Sequence, residues 1–138
     1  MTSQELEGKT AIITGASRGI GRAIAEELAA SGVTVVVNYK SNQADADAVV
    51  AAIHAGGGQA HAFQADVSQE DDVRRLVAFT INTLGRVDIL VCNAGVVRDK
   101  LIAAMMTEDW DVVIQNNLRS VFLCIREVVP HMMAQRHG

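Results

Sequence analysis

Eight consecutive residues, Thr14-Gly15-Ala16-Ser17-Arg18-Gly19-Ile20-Gly21, have the types and spacing to hold a phosphate. A helix that opens here presents unpaired N–H groups and a partial positive charge, which together attract an anion. Gly15 permits a tight turn, Gly19 lets the backbone approach a pyrophosphate, and Gly21 lets the helix lie close to a sheet. Ser17, Arg18 and Ile20 sit between them within the turn. A glycine-rich turn with no ligand has a similar composition. The context separates the two: a short apolar run precedes the turn and a helical pattern follows it, as phosphate binding requires.

A second stretch, Val37-Asn38-Tyr39-Lys40-Ser41, closes the next apolar run. A site for a dinucleotide with a free ribose 2′-hydroxyl places Asp or Glu at this point. Neither is present. A carboxylate would repel a 2′-phosphate, whereas Arg18 and Lys40 would attract one. Asn38, Tyr39, Lys40 and Ser41 are therefore predicted at the adenosine end of an NADP(H) site. Arg18 carries more weight than Lys40. It lies inside the phosphate-binding turn, while a single Lys is most often a solvated surface charge.

Positioning these residues needs strands and helices in alternation. Thr10–Thr14 reads as a buried strand, and Val33–Val37 as a second, rich in β-branched residues. Ala60–Ala65 is a weaker third, whose interleaved Gln and His suit a sheet edge. Val87–Cys92 is the fourth. Ile20, Ile24 and Leu28 mark a first helix stopped by Gly32, and Val49, Val50 and Ile53 a second that ends in Gly56-Gly57-Gly58. Val73, Leu76, Val77, Ile81 and Leu84 mark a third, with Ser68 and Asp71 as a capping start and Gly85 as a stop. A long fourth pattern runs from about Thr107 toward Met133, with a kink or end expected near Pro130. The order β-α-β-α-β-α-β-α predicts an α/β, Rossmann-type parallel sheet with helices on both faces and strand order 3-2-1-4.

Composition bounds the rest. The 138 residues suit one domain, and 49% apolar with 20% charged residues is ordinary for a globular chain. A net charge of −4 offers no basic face for nucleic acid. Four scattered His give no metal-site spacing. Cys92 and Cys124 are too few for a disulfide framework and, lying in apolar runs, are expected as buried reduced thiols. Met1–Gly8 is polar and acidic, unlike a signal peptide, and no apolar stretch reaches membrane-spanning length. A cytoplasmic location, with no membrane partner, is the expectation.

The turn matches the TGxxxGxG pattern of the short-chain dehydrogenase/reductase family, which the sequence resembles. Asp66-Val67, after the third strand, matches the family's adenine-contacting Asp; a plain turn into the third helix is compatible with that role. Cys92-Asn93-Ala94-Gly95 matches the family's NNAG, with Cys in the first place and Asn93, Ala94 and Gly95 retained. Arg98-Asp99-Lys100-Leu101, Met105–Trp110 and Asn116-Asn117-Leu118 resemble the 3-oxoacyl-carrier-protein reductase and acetoacetyl-CoA reductase branch. The resemblance implies Asn117 as the Asn of the catalytic tetrad. An exposed helical Asn, or Asn116 in its place, remains open, although an Asn in mid-helix is intrinsically unfavourable. It also implies hydride transfer from NADPH to a 3-oxoacyl thioester, a homo-oligomer (a tetramer for the whole family member), and an outer helix, containing Val121, Phe122, Ile125, Val128 and Val129, that packs between subunits.

The family's reaction uses a Ser, a Tyr and a Lys located beyond a fifth strand, and the sequence ends at Gly138 where that strand is expected. Tyr39 is the only Tyr and has Gln43, not Lys, four residues on, so it is not the proton donor. The chain is thus expected to be the single NADP-binding portion, 1–138, of a longer reductase, truncated before the fifth strand. Left alone, its uncovered fourth strand is expected to drive association. Two alternatives stand beside this: a non-catalytic NADP-binding protein, and a member of the family acting on another carbonyl or alcohol.

Overall fold

The computed structural model describes residues 3–138, so that Met1 and Thr2 of the polar leading segment lie outside the described residues. A parallel four-stranded sheet is built from β1 (Thr10–Ile13), β2 (Thr34–Tyr39), β3 (Gln59–Gln64) and β4 (Ile89–Val91). The strand order is β3-β2-β1-β4, as expected from the sequence. Ile12 pairs with Val36 on one side and Leu90 on the other, and Val36 pairs in turn with His61.

The inner strands β1 and β2 are mostly apolar because both faces are covered, with successive side chains alternating between two cores, while the edge strand β3 interleaves Gln59, His61 and Gln64. Ala11, Ile13, Val35 and Val37 pack on one face with helices α2 (Gly19–Ala30) and α3 (Gln43–Ala55). Ile12 and Val36 face the other way, against α4 (Glu70–Leu84) and α6 (Ser120–Gln135). A single turn of helix, α1 (Ser3–Leu6), precedes β1, and α5 (Thr107–Ile114) leads toward α6.

Several boundaries differ from the expectation, each for a physical reason. Helix α2 buries Gly21, Ala25 and Ala29, and Ile24 and Leu28 pack against the same core as expected, while Ile20 is 75% exposed and lies off that face. Ser68 does not cap α4; its hydroxyl and N–H both donate to Asp66 Oδ1, and the helix starts at Glu70. Glu70, Asp71 and Asp72 in the first turn complement the helix dipole instead. Gly85 ends α4 in the left-handed conformation, as predicted. The fourth strand is only three residues long, although Asp88 extends the ladder by donating to Thr10 O.

The long fourth helical pattern is not one helix. A π-helical segment, Gln115–Arg119, separates α5 from α6. Pro130 neither ends α6 nor stops it short, because the last turn is anchored beyond it. Gln135 accepts from Val87 N–H and donates to Val87 O, which ties the end of α6 to the start of β4. Cys124 is buried as expected, but Cys92 is exposed, since it lies just past the short edge strand. Among the described residues, no helix is long and apolar enough to cross a membrane, and no cluster of His, Cys, Asp and Glu is arranged to hold a metal ion.

Candidate functional site

The carboxyl ends of the four strands open onto a cleft of about 550 Å³. Parallel strands direct their C-terminal loops to one edge, where strand order reverses direction from β1, and ligands of such sheets bind there. The cleft is lined by Gly15, Ser17, Arg18, Gly19 and Ile20 from the first turn, by Asn38, Tyr39, Lys40 and Ser41 after β2, by Asp66 and Val67 after β3, and by Asn93, Ala94 and Gly95 after β4. Gly21 is buried beneath it.

The glycines are held to their places by contact. Gly15 has φ +62, and a Cβ there would stand 2.9 Å from Ala94 Cα, so both its conformation and its neighbour exclude a side chain. A Cβ on Gly21 would collide with the Asn93 amide and would come within 2.5 Å of Gly15 O. Helix α2 therefore starts hard against the loop after β4. Its N-cap, Arg18, makes no side-chain cap hydrogen bond, so the first N–H groups of α2 have no side-chain acceptor there.

Thr14 and Asn93 lock the two loops together. The Thr14 hydroxyl accepts from Asn93 N–H at 2.9 Å and Ala94 N–H at 3.0 Å, while Asn93 Nδ2 donates to Thr14 O and Gly15 O. Thr14 opens the motif read from the sequence, but its task as acceptor for the loop after β4 was not foreseen. Asn38 has a similar task. It is 2% exposed, accepts from Gly15 N–H at 3.2 Å, and donates to Ala65 O at 3.0 Å. Tyr39 is also buried and packs into the first core. These two residues hold up the cleft wall more than they reach into it.

Electrostatics at the end of the cleft bordered by the loops after β2 and β3 differ between the two cations. Lys40 Nζ lies 2.8 Å from Asp66 Oδ2, while the other Asp66 oxygen is bonded to Ser68. Burial pushes the Asp66 carboxyl up, but hydrogen bonds from Lys40 and Ser68 outweigh it and hold the group below the usual carboxylate range. Arg18 is exposed and has no ion-pair partner among the described residues. Asn42 and Asp45 also line this end and were missed in the sequence. Asn42 caps α3 by accepting from Asp45 N–H at 3.1 Å, which a strand-to-helix Asn could have suggested.

At the opposite end the two candidate asparagines part ways. Asn116 lines the cleft and donates to Val112 O. Asn117 clamps the loop after β4, accepting from Val96 N–H at 2.7 Å and donating to Val96 O at 2.9 Å. Both lie in the π-helical segment, a distortion that recurs at functional sites.

A family model described as short chain dehydrogenase matches residues 9–138. The chain belongs to the short chain dehydrogenase family. Within it, the chain is 50% identical over 133 residues to a 3-oxoacyl-[acyl-carrier-protein] reductase of Synechocystis sp., covering 96% of this chain and 54% of the relative. It is 46% identical over 130 residues to a 3-oxoacyl-[acyl-carrier-protein] reductase of Staphylococcus epidermidis, covering 94% of this chain and 53% of the relative. The crystal structure of a metagenomic short-chain oxidoreductase in complex with NADP matches with a TM-score of 0.92 at 36% identity, covering 99% of this chain and 61% of that one. The chain spans about half the length of the curated relatives it matches.

Proposed function

We propose that this chain is the NADP(H)-binding portion, a single domain over 1–138, of a reductase that transfers hydride to the carbonyl of a 3-oxoacyl thioester. The observation that carries the cofactor is the adenosine end of the cleft: an unpaired Arg18 beside the ribose position, and no carboxylate closing β2. The NADP held by the structurally similar short-chain oxidoreductase supports the same choice, and the relatives named as 3-oxoacyl-[acyl-carrier-protein] reductases support the substrate class.

The residues present fit a dinucleotide. Gly15 and Gly19 keep the turn bare of side chains, and nothing lies within 4 Å of where a Cβ on Gly19 would stand. The N-terminus of α2 binds the pyrophosphate through its free N–H groups. Arg18 meets the 2′-phosphate, and Asp66, kept ionised, accepts from the adenine amino group. Asn93, Ala94 and Gly95 border the nicotinamide-side ribose. Asn117 acts as a positioning residue by fixing the backbone at Val96. When bound, NADPH supplies the hydride. Tyr39, buried at the adenosine end, is not placed to deliver a proton to the substrate. Self-association is part of the proposal, supported by the exposed Leu118, Phe122 and Ile125 on the outer helices, and so is a cytoplasmic setting.

Titration with NADPH and with NADH tests the assignment, read by cofactor fluorescence. NADPH is expected to bind more tightly. Arg18→Glu is expected to weaken NADPH by roughly a hundredfold, the scale of one lost charge-assisted pair plus a new repulsion, and NADH far less. Equal losses for both cofactors would remove Arg18 from the 2′-phosphate.

A further inference from the structure

The Asp66 carboxylate is fixed in direction by its own loop. Its Oδ1 accepts from Ser68 N–H at 3.0 Å and from the Ser68 hydroxyl at 2.7 Å. The backbone N–H of Asp66 donates to Asp72 Oδ2 at 2.8 Å, and Asp72 is paired in turn with Arg75. Oδ2 is the oxygen that this loop leaves unengaged, and Lys40 Nζ lies 2.8 Å from it. Lys40 belongs to the neighbouring loop, after β2, so its side chain bridges two walls of the cleft. The main chain around Lys40 is tethered: Gln64 Nε2 donates to Lys40 O at 3.0 Å, and Ala65 N–H donates to Tyr39 O at 2.9 Å. The side chain is not tethered, being 61% exposed against 24% for Asp66. A long ammonium stem on a fixed backbone changes partner at little cost, whereas the carboxylate stays where it is.

We propose that Lys40 is an exchangeable guard of Asp66. It pairs with the carboxylate in the free protein and releases it to a nucleotide whose 2′-phosphate becomes the ammonium's new partner. A nucleotide with a bare 2′-hydroxyl is penalised by the ion pair that it must break. This rests on the cofactor reading above, in which the adenine amino group donates to Asp66. With Oδ1 tied to Ser68, that amino group competes with the ammonium for Oδ2. NADPH leaves no charge stranded: the ammonium moves to the 2′-phosphate and the adenine takes the carboxylate. NADH brings the same adenine but no anion for Lys40. Either the pair persists and the adenine contact is lost, or the pair breaks with only water in its place. An ion pair this exposed is weak by itself, so the discrimination it adds is a few-fold, beside that of Arg18. Lys40 thus acts against the wrong cofactor as well as for the right one.

The test is titration of the full chain and of its Lys40→Met variant with NADPH and with NADH, read by cofactor fluorescence. Met keeps an unbranched apolar stem and removes the charge. The two cofactors are expected to move in opposite directions. NADPH weakens by roughly tenfold, for one lost charge-assisted contact, and NADH tightens by roughly threefold, for the released carboxylate. A general loosening of the loop would weaken both, so the gain for NADH is the deciding readout. NADH binding that is unchanged or weakened in Lys40→Met would overturn the proposal. A second background locates the effect in the pair. In Asp66→Asn, where Lys40 has no carboxylate to guard, adding Lys40→Met is expected to leave NADH binding unchanged. An equal gain there would also overturn the proposal. The cofactor reading is judged separately. NADH bound as tightly as NADPH by the unsubstituted chain would overturn that reading and the guard with it. A preference for NADPH that Lys40→Met lowers through NADPH alone would keep the reading and remove the guard.

Discussion

Asn117 illustrates how one side chain can act at a distance of one residue. Its amide matches both backbone groups of Val96, and Val96 follows the Gly95 that borders the cleft. Asn117→Ala removes both partners at once and frees the loop. In a complete reductase, turnover is expected to fall roughly tenfold to a hundredfold, the cost of slight misplacement near reacting groups, with the KM for NADPH nearly unchanged. A steady-state comparison of kcat and KM checks this, and full activity would leave Asn117 a merely structural residue. Spacing alone could not separate Asn116 from Asn117, because adjacent helical positions differ by about 100° of rotation and a π-helical turn alters that count. The sequence already ranked Arg18 above Lys40 by its place in the turn; the ion pair from Lys40 to Asp66 adds a physical reason for the difference.

Elements are held in register by a few contacts between their ends. Gly15→Ala would place a Cβ against Ala94 and require an unfavourable positive φ. It is expected to cost about 2–4 kcal/mol, combining backbone strain with overpacking, and a urea denaturation midpoint measures it. At the opposite edge of the sheet, Asp88 joins β4 to β1. Its side chain is fully buried, accepts from Thr10 N–H at 2.9 Å, and pairs with Arg86 through both oxygens. Burial pushes the Asp88 carboxyl up, but the bonds from Arg86 and Thr10 prevail and hold it below the usual range. A depressed native value contributes stability that is fully present above the unfolded carboxylate value of about 4 and is lost as pH falls through the native value. Asp88→Ala is therefore expected to cost about 2 kcal/mol at pH 7, with a difference from the unsubstituted chain that narrows below about pH 4. Denaturation at both pH values checks the sign.

At the scale of the whole molecule, one side of the structure is unlike the rest. The outer edge of β4 has no neighbouring strand among the described residues. Along the outer helices, Leu118, Phe122, Ile125 and Val129 are exposed around an apolar groove. An open strand edge and a contiguous apolar face both favour association. The 138-residue chain is expected to elute from size-exclusion chromatography as a species larger than a monomer. Phe122→Glu combined with Ile125→Glu is expected to shift it toward smaller species. A folded monomer with the native sequence would contradict the expectation.

Local pattern alone was enough for the alternation of strands and helices, the strand order and the place of the glycine-rich turn between β1 and α2. Alternation of side chains along strands, helical spacing and glycine stops all act within a few residues, so they can be read in one dimension. The helix N-caps and the π-helical interruption escaped that reading because each depends on which side chain wins a particular backbone group. The pairings decided only by the tertiary structure join distant positions: Thr14 to Asn93, Asn38 to Gly15 and Lys40 to Asp66. Each depends on loops meeting at one edge of a parallel sheet. Periodicity supplies the sheet, but the approach of its loops is set by packing between elements far apart in the chain.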